Sequence, residues 1–77
     1  MKELLEYILK NLVDAKDITV EEKIDGEHIA LTVFAPSDYI GLIIGKQGKV
    51  IKAIRNLLKV KATLDKKGVS VNVEEKK

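Results

Sequence analysis

The sequence predicts an α+β fold with the element order α-β-β-α-α-β. Two observations support this prediction. Apolar residues recur at helical spacing in three segments of the chain, and they alternate with polar residues in three others. In addition, 77 residues, of which 45% are apolar and 34% charged, suffice for one small core and no second domain. We therefore expect one domain over residues 1–77.

The first helix is predicted over Lys2 to Val13, where five leucine and isoleucine residues follow a helical period. From Ile18 the period changes to two, so that Ile18, Val20 and Ile24 share the face expected to point to the core. Glu22 interrupts that apolar face, which indicates a position near an edge of the sheet.

A hairpin is predicted where Asp25-Gly26 follows the first strand, because tight hairpin turns need a positive φ that glycine adopts without strain. The second strand should run from about Ile29 to Ala35 and pair antiparallel with the first. Pro36 ends it, and Ser37 is expected to cap a short helix from Asp38 to about Ile44.

The second half of the chain predicts a longer helix from Lys49 to about Lys61. A turn is expected over Asp65 to Gly68, and alternating valines between Val69 and Val73 predict the last strand. Glu74 to Lys77 should form a frayed, charged tail. The pattern leaves open whether this last strand pairs beside the first strand or the second.

The charges are divided unevenly along the chain, although the net charge is only +2. Residues 1–40 contain four Lys and nine Asp or Glu, whereas residues 41–67 contain eight Lys or Arg and one Asp. A basic segment within an otherwise acidic domain is what a local polyanion-binding surface requires. A lysine-rich, solvated helix face is the alternative explanation.

Several classes of function are excluded or disfavoured by composition. The chain has no Cys, and His28 has no second His or Cys to share a metal with, so neither thiol chemistry nor a metal site is expected. The glycine spacing matches neither a P-loop nor a dinucleotide fingerprint. No constellation of nucleophile and base is present. We expect a protein that is not an enzyme, needs no cofactor and takes no small-molecule substrate. The longest apolar run, Ile40 to Ile44, predicts neither a signal peptide nor a membrane span.

The two predicted helices of the second half meet at Gly45-Lys46-Gln47-Gly48. Two glycines three residues apart would let the backbone approach another molecule closely. The N–H groups at the start of the following helix attract anions, and Lys49 and Lys52 lie on its first turns. Without further context, a tight turn between helices would explain the same spacing.

The context of this loop resembles a KH domain, because a short apolar helix precedes Ile44-Gly45-Lys46-Gln47-Gly48-Lys49-Val50-Ile51 and a basic amphipathic helix follows. The element order resembles the type II arrangement over nearly the whole chain. Lys2 to Asp14, Phe34 to Pro36 and Ile43 to Arg55 resemble the small bacterial single-KH RNA-binding proteins of the KhpA type. Leu42 departs from that group, whose members more often have Lys or Arg at this position.

The resemblance implies a three-stranded mixed sheet with three helices packed on one face. It implies a grip on about four nucleotides of single-stranded RNA through the glycine loop, with the bases in a mostly aliphatic groove. The implied RNA-binding residues are Gly45, Lys46, Gln47, Gly48, Lys49, Lys52, Ile40, Ile44 and Arg55. Ile43 and Ile51 from the helices, and Ile29 or Leu31 from the adjoining strand, are further candidates for the groove.

The resemblance also implies a partner and a cellular role. The partner is a second copy of the chain or a second, larger KH-containing protein. The role is that of an RNA chaperone or post-transcriptional regulator in the bacterial cytoplasm. Two alternatives stay open on the residues alone, namely binding of single-stranded DNA and a protein–protein interaction module with the KH fold.

Overall fold

The computed structural model describes residues 1–13 and 17–76, which form three α-helices, one short 3-10 turn and a three-stranded sheet. In chain order the elements are α1 (Lys2–Leu12), β1 (Thr19–Asp25), β2 (His28–Ala35), α2 (Ser37–Ile44), the 3-10 turn (Lys46–Gly48), α3 (Lys49–Leu64) and β3 (Gly68–Glu75). The predicted α-β-β-α-α-β order is confirmed. None of the helices in the described ranges is long and apolar enough to cross a membrane.

The sheet has the order β1-β2-β3, with β2 in the centre. β1 and β2 are antiparallel, and Asp25 pairs with His28, so that Gly26 and Glu27 form the predicted hairpin turn. β3 pairs parallel with β2. This arrangement answers the question left open by the sequence: the third strand lies beside the second, and the sheet is mixed.

The hydrophobic core lies between the helices and one face of the sheet. Alternate residues of the central strand are buried, namely Ile29, Leu31, Val33 and Ala35. They pack with buried residues of all three helices, including Leu5, Ile43 and Leu58. The period of two in β2 thus places one face of the strand in the core, as the sequence predicted.

Ile24 was predicted to point to the core, but its side chain is 59% exposed. It lies on the same face of the sheet as Val20, which is buried. The difference between them comes from α1, which begins beside Glu22, where the Lys2 N–H donates to the Glu22 carboxylate at 3.2 Å. Ile24 lies two residues further along β1 toward the hairpin, beyond the start of α1, so the helix does not cover it.

Glu22 interrupts the apolar face of β1 because it binds the start of α1. Its carboxylate accepts the Lys2 N–H and lies 3.8 Å from the amino group of Met1. A negative charge at this end of a helix is favoured by the helix dipole, which carries partial positive charge there. The polar residue in the strand therefore links α1 to the sheet.

The prediction of a frayed tail at Glu74 to Lys77 is wrong for the residues that the structure describes. β3 continues through Glu75, and the Lys76 N–H donates to the Ala35 carbonyl at 2.8 Å. The pairing with the full length of β2 extends the strand beyond the alternating valines. Lys77 lies outside the described residues, as does Asp14.

Ser37 was predicted to cap α2, but it is the first residue of the helix. Pro36 occupies the cap position, and no side chain there accepts a hydrogen bond from the helix. The Pro36 carbonyl instead accepts the Tyr39 N–H at 2.9 Å. Proline has a backbone φ suited to this junction, and it leaves the strand without offering an N–H to the sheet.

Candidate nucleic-acid interface

The loop between α2 and α3 is shorter than a flexible connection would be. Gly45 ends α2, Lys46–Gly48 makes one 3-10 turn, and α3 begins directly at Lys49. The last turn of α2, the 3-10 turn and the first turn of α3 thereby follow one another along the chain without a longer connection. The backbone has positive φ at Gly45, Gln47 and Gly48, with values of 77°, 58° and 75°.

Gly45 is required by the conformation and by the packing of the loop. Its φ of 77° and ψ of 173° lie in a region open essentially to glycine alone. A Cβ atom at this position would come within 2.9 Å of the Val50 backbone nitrogen and closer still to the Val50 side chain. The glycine therefore allows α3 to pack directly against the end of α2.

Part of the backbone expected to bind a phosphate is hydrogen-bonded within the loop itself. The Gly45 N–H donates to Gly41 at 2.8 Å, and the Gly48 N–H donates to Gly45 at 3.1 Å. The Lys49 N–H likewise donates to the Lys46 carbonyl. The first of these bonds closes the last turn of α2 and the other two belong to the 3-10 turn, so these three N–H groups are not free to bind an anion.

The lysines at the loop are exposed and have no acidic partner among the described residues. Within residues 1–13 and 17–76, the ion pairs closer than 4 Å join Met1 to Glu22 and Lys61 to Asp65. Lys46, Lys49 and Lys52 therefore direct uncompensated positive charge to solvent around the loop. Such a cluster attracts a polyanion without first breaking an internal ion pair.

A groove of about 480 Å³ lies between α3 and β3, and Lys52, on the first turn of α3, is its lining residue nearest to the loop in the sequence. Lys52, Arg55, Asn56 and Lys59 line its helical wall. The other wall consists of residues 69–72 of β3. Since β3 pairs with β2 on one side only, this groove runs beside the open edge of the sheet.

Arg55 joins the two walls of this groove. Its Nε and Nη2 atoms both donate to the carbonyl oxygen of Val71, at 3.1 and 2.9 Å. The Gly68 and Lys76 N–H groups donate toward β2, so the peptide groups of odd-numbered residues in β3 face the open edge. The guanidinium group of Arg55 therefore donates to a backbone carbonyl of the edge strand that points away from the sheet.

The groove differs from the aliphatic one that the sequence predicted. Ile43 and Leu31 are fully buried, while Ile29 and Ile51 are nearly so, and all four belong to the core. They are not accessible to a ligand. The helical wall of the groove is instead basic and polar. The isoleucines of α2 and α3 are turned toward the core, so the lysine and asparagine side chains of α3 line the groove.

The nine residues predicted for the site fall into three groups. Gly45–Gly48, Lys49 and Lys52 lie together at the loop and the first turn of α3, and Arg55 lies one turn further along the groove. Ile40 and Ile44 are half-buried in α2, pack against the core and do not line the groove.

Sequence reasoning missed Asn56, Lys59 and the edge of β3. The two side chains follow Lys52 at helical spacing, four and seven residues later, so the period of α3 could have indicated them. The strand edge could not have been found this way, because the position of β3 in the sheet was undetermined. No group of three or more potential metal ligands occurs in the part of the chain that the structure describes.

Comparison with known proteins identifies the family. Residues 2–74 match the family model described as KhpA/KhpB, KH domain. The chain is similar to the RNA-binding protein KhpA of Chlamydia pneumoniae, with 44% identity over the full length of both chains. It is also similar to proteins of the same name from Clostridium perfringens and Caldanaerobacter subterraneus, with 42% and 43% identity, each alignment covering 95% of this chain and 99% of the relative.

These relatives are named for RNA binding and not for a catalysed reaction, which agrees with the expectation that the chain is not an enzyme. Three observations identify the family of the chain: the order of helices and strands, the short loop between α2 and α3, and the match over residues 2–74. The chain belongs to the KhpA/KhpB family of KH-domain proteins.

Proposed function

We propose that this protein binds single-stranded RNA at the Gly45–Gly48 loop and along the groove between α3 and β3. The observation that carries the proposal is that Lys46, Lys49 and Lys52, in the loop and on the first turn of α3, are exposed and form no ion pair within 4 Å among the described residues. The similar proteins from three bacteria carry the name of RNA-binding proteins, which favours RNA as the ligand.

In the proposed complex the loop contacts the sugar–phosphate backbone of about four nucleotides. Gly48 allows close approach, because a Cβ atom there would meet no neighbour nearer than 4.0 Å. Lys46 and Gln47 are exposed at the tip and contact phosphate directly. Lys49 and Lys52 extend the positive charge along the first turns of α3.

The bases would lie in the groove beside the edge of β3. Asn56 offers both donors and acceptors to a base edge, and outward peptide groups of β3 offer more. Arg55 binds Val71 and so holds the two walls together while keeping its charge near the RNA. Ile40 and Ile44 are half-buried in α2 outside this groove, so their apolar contacts would be to nucleotides held at the loop.

The proposal has consequences for affinity. If about two to four phosphates are neutralised, the slope of log affinity against log salt should be roughly −1.5 to −3. One domain with so small a footprint binds weakly, and a second domain would strengthen binding through avidity. We therefore propose that the chain acts with a second KH-containing chain, as an RNA chaperone or post-transcriptional regulator in the cytoplasm.

The proposal is tested with the double variant Lys46→Asp/Gln47→Asp. Its matched control is Lys10→Asp/Asn11→Asp, which makes the same change in charge on exposed residues of α1. We expect the loop variant to lose at least about tenfold in RNA affinity, and its melting temperature to stay close to that of the parent, because exposed substitutions usually cost within about 0.5 kcal/mol. Fluorescence anisotropy with single-stranded RNA and DNA of one sequence measures the affinity, and circular dichroism measures the stability.

Each remaining outcome has a meaning. If both double variants bind RNA like the parent, the loop is not the binding surface. If the parent chain binds neither RNA nor DNA, a protein–protein module becomes the better explanation. Equal affinity for RNA and DNA would show that no contact to the 2′-hydroxyl contributes. Equal losses in the loop variant and the control would mean that only overall charge matters.

A further inference from the structure

Arg55 uses only part of its hydrogen-bonding capacity within the protein. A guanidinium group carries five N–H groups in a planar fork. Two of them, on Nε and Nη2, donate to the Val71 carbonyl oxygen at 3.1 and 2.9 Å. Within residues 1–13 and 17–76 no carboxylate lies within 4 Å of the guanidinium group. The other three N–H groups of Arg55 are therefore available to a ligand.

The two hydrogen bonds to Val71 orient the free donors of Arg55. Because Nε and Nη2 both donate to one oxygen, the edge of the guanidinium group between these two nitrogens faces β3. The neighbouring edge, between Nη1 and Nη2, carries two parallel N–H groups that point away from this carbonyl. Arg55 is one of the residues that line the groove. The groove thus contains a pair of parallel donors whose direction is fixed by the strand.

Val71 presents a further donor beside the guanidinium group. In a strand the N–H and C=O groups of one residue point to the same side, and those of Val71 point to the open edge of β3. A carbonyl oxygen has two lone pairs, and the two hydrogen bonds from Arg55 use both. The Val71 N–H has no strand partner on this side. Together, the two residues offer donors to the groove and no free acceptor at the carbonyl.

The four bases differ in whether two acceptors lie next to each other. Cytosine has O2 and N3 adjacent on its Watson–Crick edge, and guanine has O6 and N7 adjacent on its Hoogsteen edge. A bidentate contact from Arg to guanine O6 and N7 is the commonest base-specific contact in protein–DNA complexes. In adenine and uracil, donors and acceptors alternate along the same edges. Two parallel donors therefore match cytosine or guanine.

We propose that Arg55 selects cytosine or guanine at the nucleotide that lies against Val71. The inference rests on the proposed function, because it assigns a base preference to the same groove. The free edge of the guanidinium group donates to the two adjacent acceptors of the base. Adenine or uracil at this place would direct an N–H group of the base against a donor of the protein, and the unpaired donors would cost affinity.

Removal of Arg55 would change the pattern of donors and acceptors as well as the charge. Without the guanidinium group, Val71 presents its N–H and its C=O side by side. One donor next to one acceptor matches N1 and the amino group of adenine, or O4 and the N3–H of uracil. Loss of Arg55 should therefore abolish the preference for cytosine or guanine. Loss of a lysine that contacts phosphate should weaken binding of all sequences alike.

The test compares the parent chain with Arg55→Met, Arg55→Lys and Lys59→Met. Lys59→Met is the matched control, because it removes one positive charge from the same wall of the groove. Arg55→Lys keeps the charge but replaces the fork by one ammonium group. Sequencing of the RNA that the parent retains from a random single-stranded library gives its preferred sequence. Fluorescence anisotropy then measures the affinity for that RNA and for versions in which each G in turn is replaced by A, or each C by U.

We expect one G or C in the preferred RNA whose replacement weakens binding to the parent at least about fivefold. The same ratio of affinities should hold for Lys59→Met, although this variant binds both RNAs more weakly. In Arg55→Met and Arg55→Lys the ratio should fall to about two or below. Both variants should fold, as circular dichroism would show, because water can bind the Val71 carbonyl at an open strand edge.

A parent chain that binds RNA but loses less than about fivefold with every replacement would overturn the proposed preference. A ratio that stays above about two in either folded Arg55 variant, or that falls equally in Lys59→Met, would assign the preference to another group. If the parent chain retains no RNA from the library, the proposed function fails and the inference fails with it. The loop variant Lys46→Asp/Gln47→Asp tests the proposed function separately, so the two failures are distinguishable.

Discussion

The two ends of the Gly45–Gly48 loop use glycine for different reasons. At Gly45 the backbone conformation is open essentially to glycine alone, and an added Cβ would collide with Val50. At Gly48 the backbone is left-handed, with φ 75° and ψ 14°, and an added Cβ would meet only Ile51 at 4.0 Å. A left-handed residue with free space around it can be an asparagine as well as a glycine.

The difference separates a requirement of the fold from a requirement of the site. Gly45 lets α3 pack against α2, so the fold needs it whether or not RNA binds. Gly48 has no neighbour that would exclude a side chain, so its role in the proposed function is to leave room for a molecule from outside. The two glycines three residues apart thus meet two independent requirements, one of folding at Gly45 and one of the proposed RNA binding at Gly48.

The largest effect that tests this comparison is expected for Gly45→Ala. The variant should lose about 3 to 5 kcal/mol of stability, because backbone strain adds to the collision with Val50. Urea denaturation followed by circular dichroism measures the loss. The double variant with Val50→Ala should recover part of it, since the methyl group nearest to the new Cβ is removed. A loss smaller than about 1 kcal/mol in Gly45→Ala would show that the two ends of the loop are alike after all.

An intermediate effect is expected for Gly48→Asn, and it should concern binding more than folding. Asparagine tolerates the left-handed conformation, so the stability should fall by less than about 1 kcal/mol. The side chain would occupy the space that the proposed RNA backbone enters, and we expect a loss of about tenfold in affinity, or about 1.4 kcal/mol. Anisotropy and thermal melting on the same samples separate the two quantities. Unchanged affinity would remove the functional reason given for Gly48.

The smallest effect is expected for Gly41→Ala, one turn before Gly45, and it has the opposite sign. Gly41 lies within α2, it has no positive φ, and a Cβ there would meet nothing within 4 Å. Alanine is favoured over glycine inside a helix by about 1 kcal/mol, so the variant should melt about 4 to 8 °C higher. A lower melting temperature would mean that the space beside Gly41 is needed within the fold.

Much of the fold could be predicted because the apolar periods are strong and the turns are marked. The helix of Lys2–Leu12 and the strand of His28–Ala35 were placed within a residue or two, and so was the start of α3. The wrong predictions concern residues whose burial or strand pairing depends on neighbouring elements. Ile24 is exposed since α1 starts beside Glu22, and Glu75 continues β3 because β2 is long enough to pair with it.

The loop of the candidate site could be predicted from the sequence better than the groove. The loop and its lysines are contiguous in sequence, and the structure keeps them together at one end of α3. The groove was predicted with the wrong lining, because a pattern of isoleucines does not tell which ones the core will bury. The link from Arg55 to Val71 joins residues whose proximity depends on the order of the strands.

The sequence alone was sufficient to derive the order of the elements, the basic character of residues 41–67 and the tight loop at Gly45–Gly48. These features depend on local periodicity, on charge and on residues that permit unusual backbone angles. The packing of the whole chain sets three further features: β3 lies beside β2, the groove has a polar helical wall, and Leu57, Val60 and Leu64 of α3 stay exposed. Each of these depends on which surfaces meet across the molecule, and that is a property of the packed chain and not of any one segment.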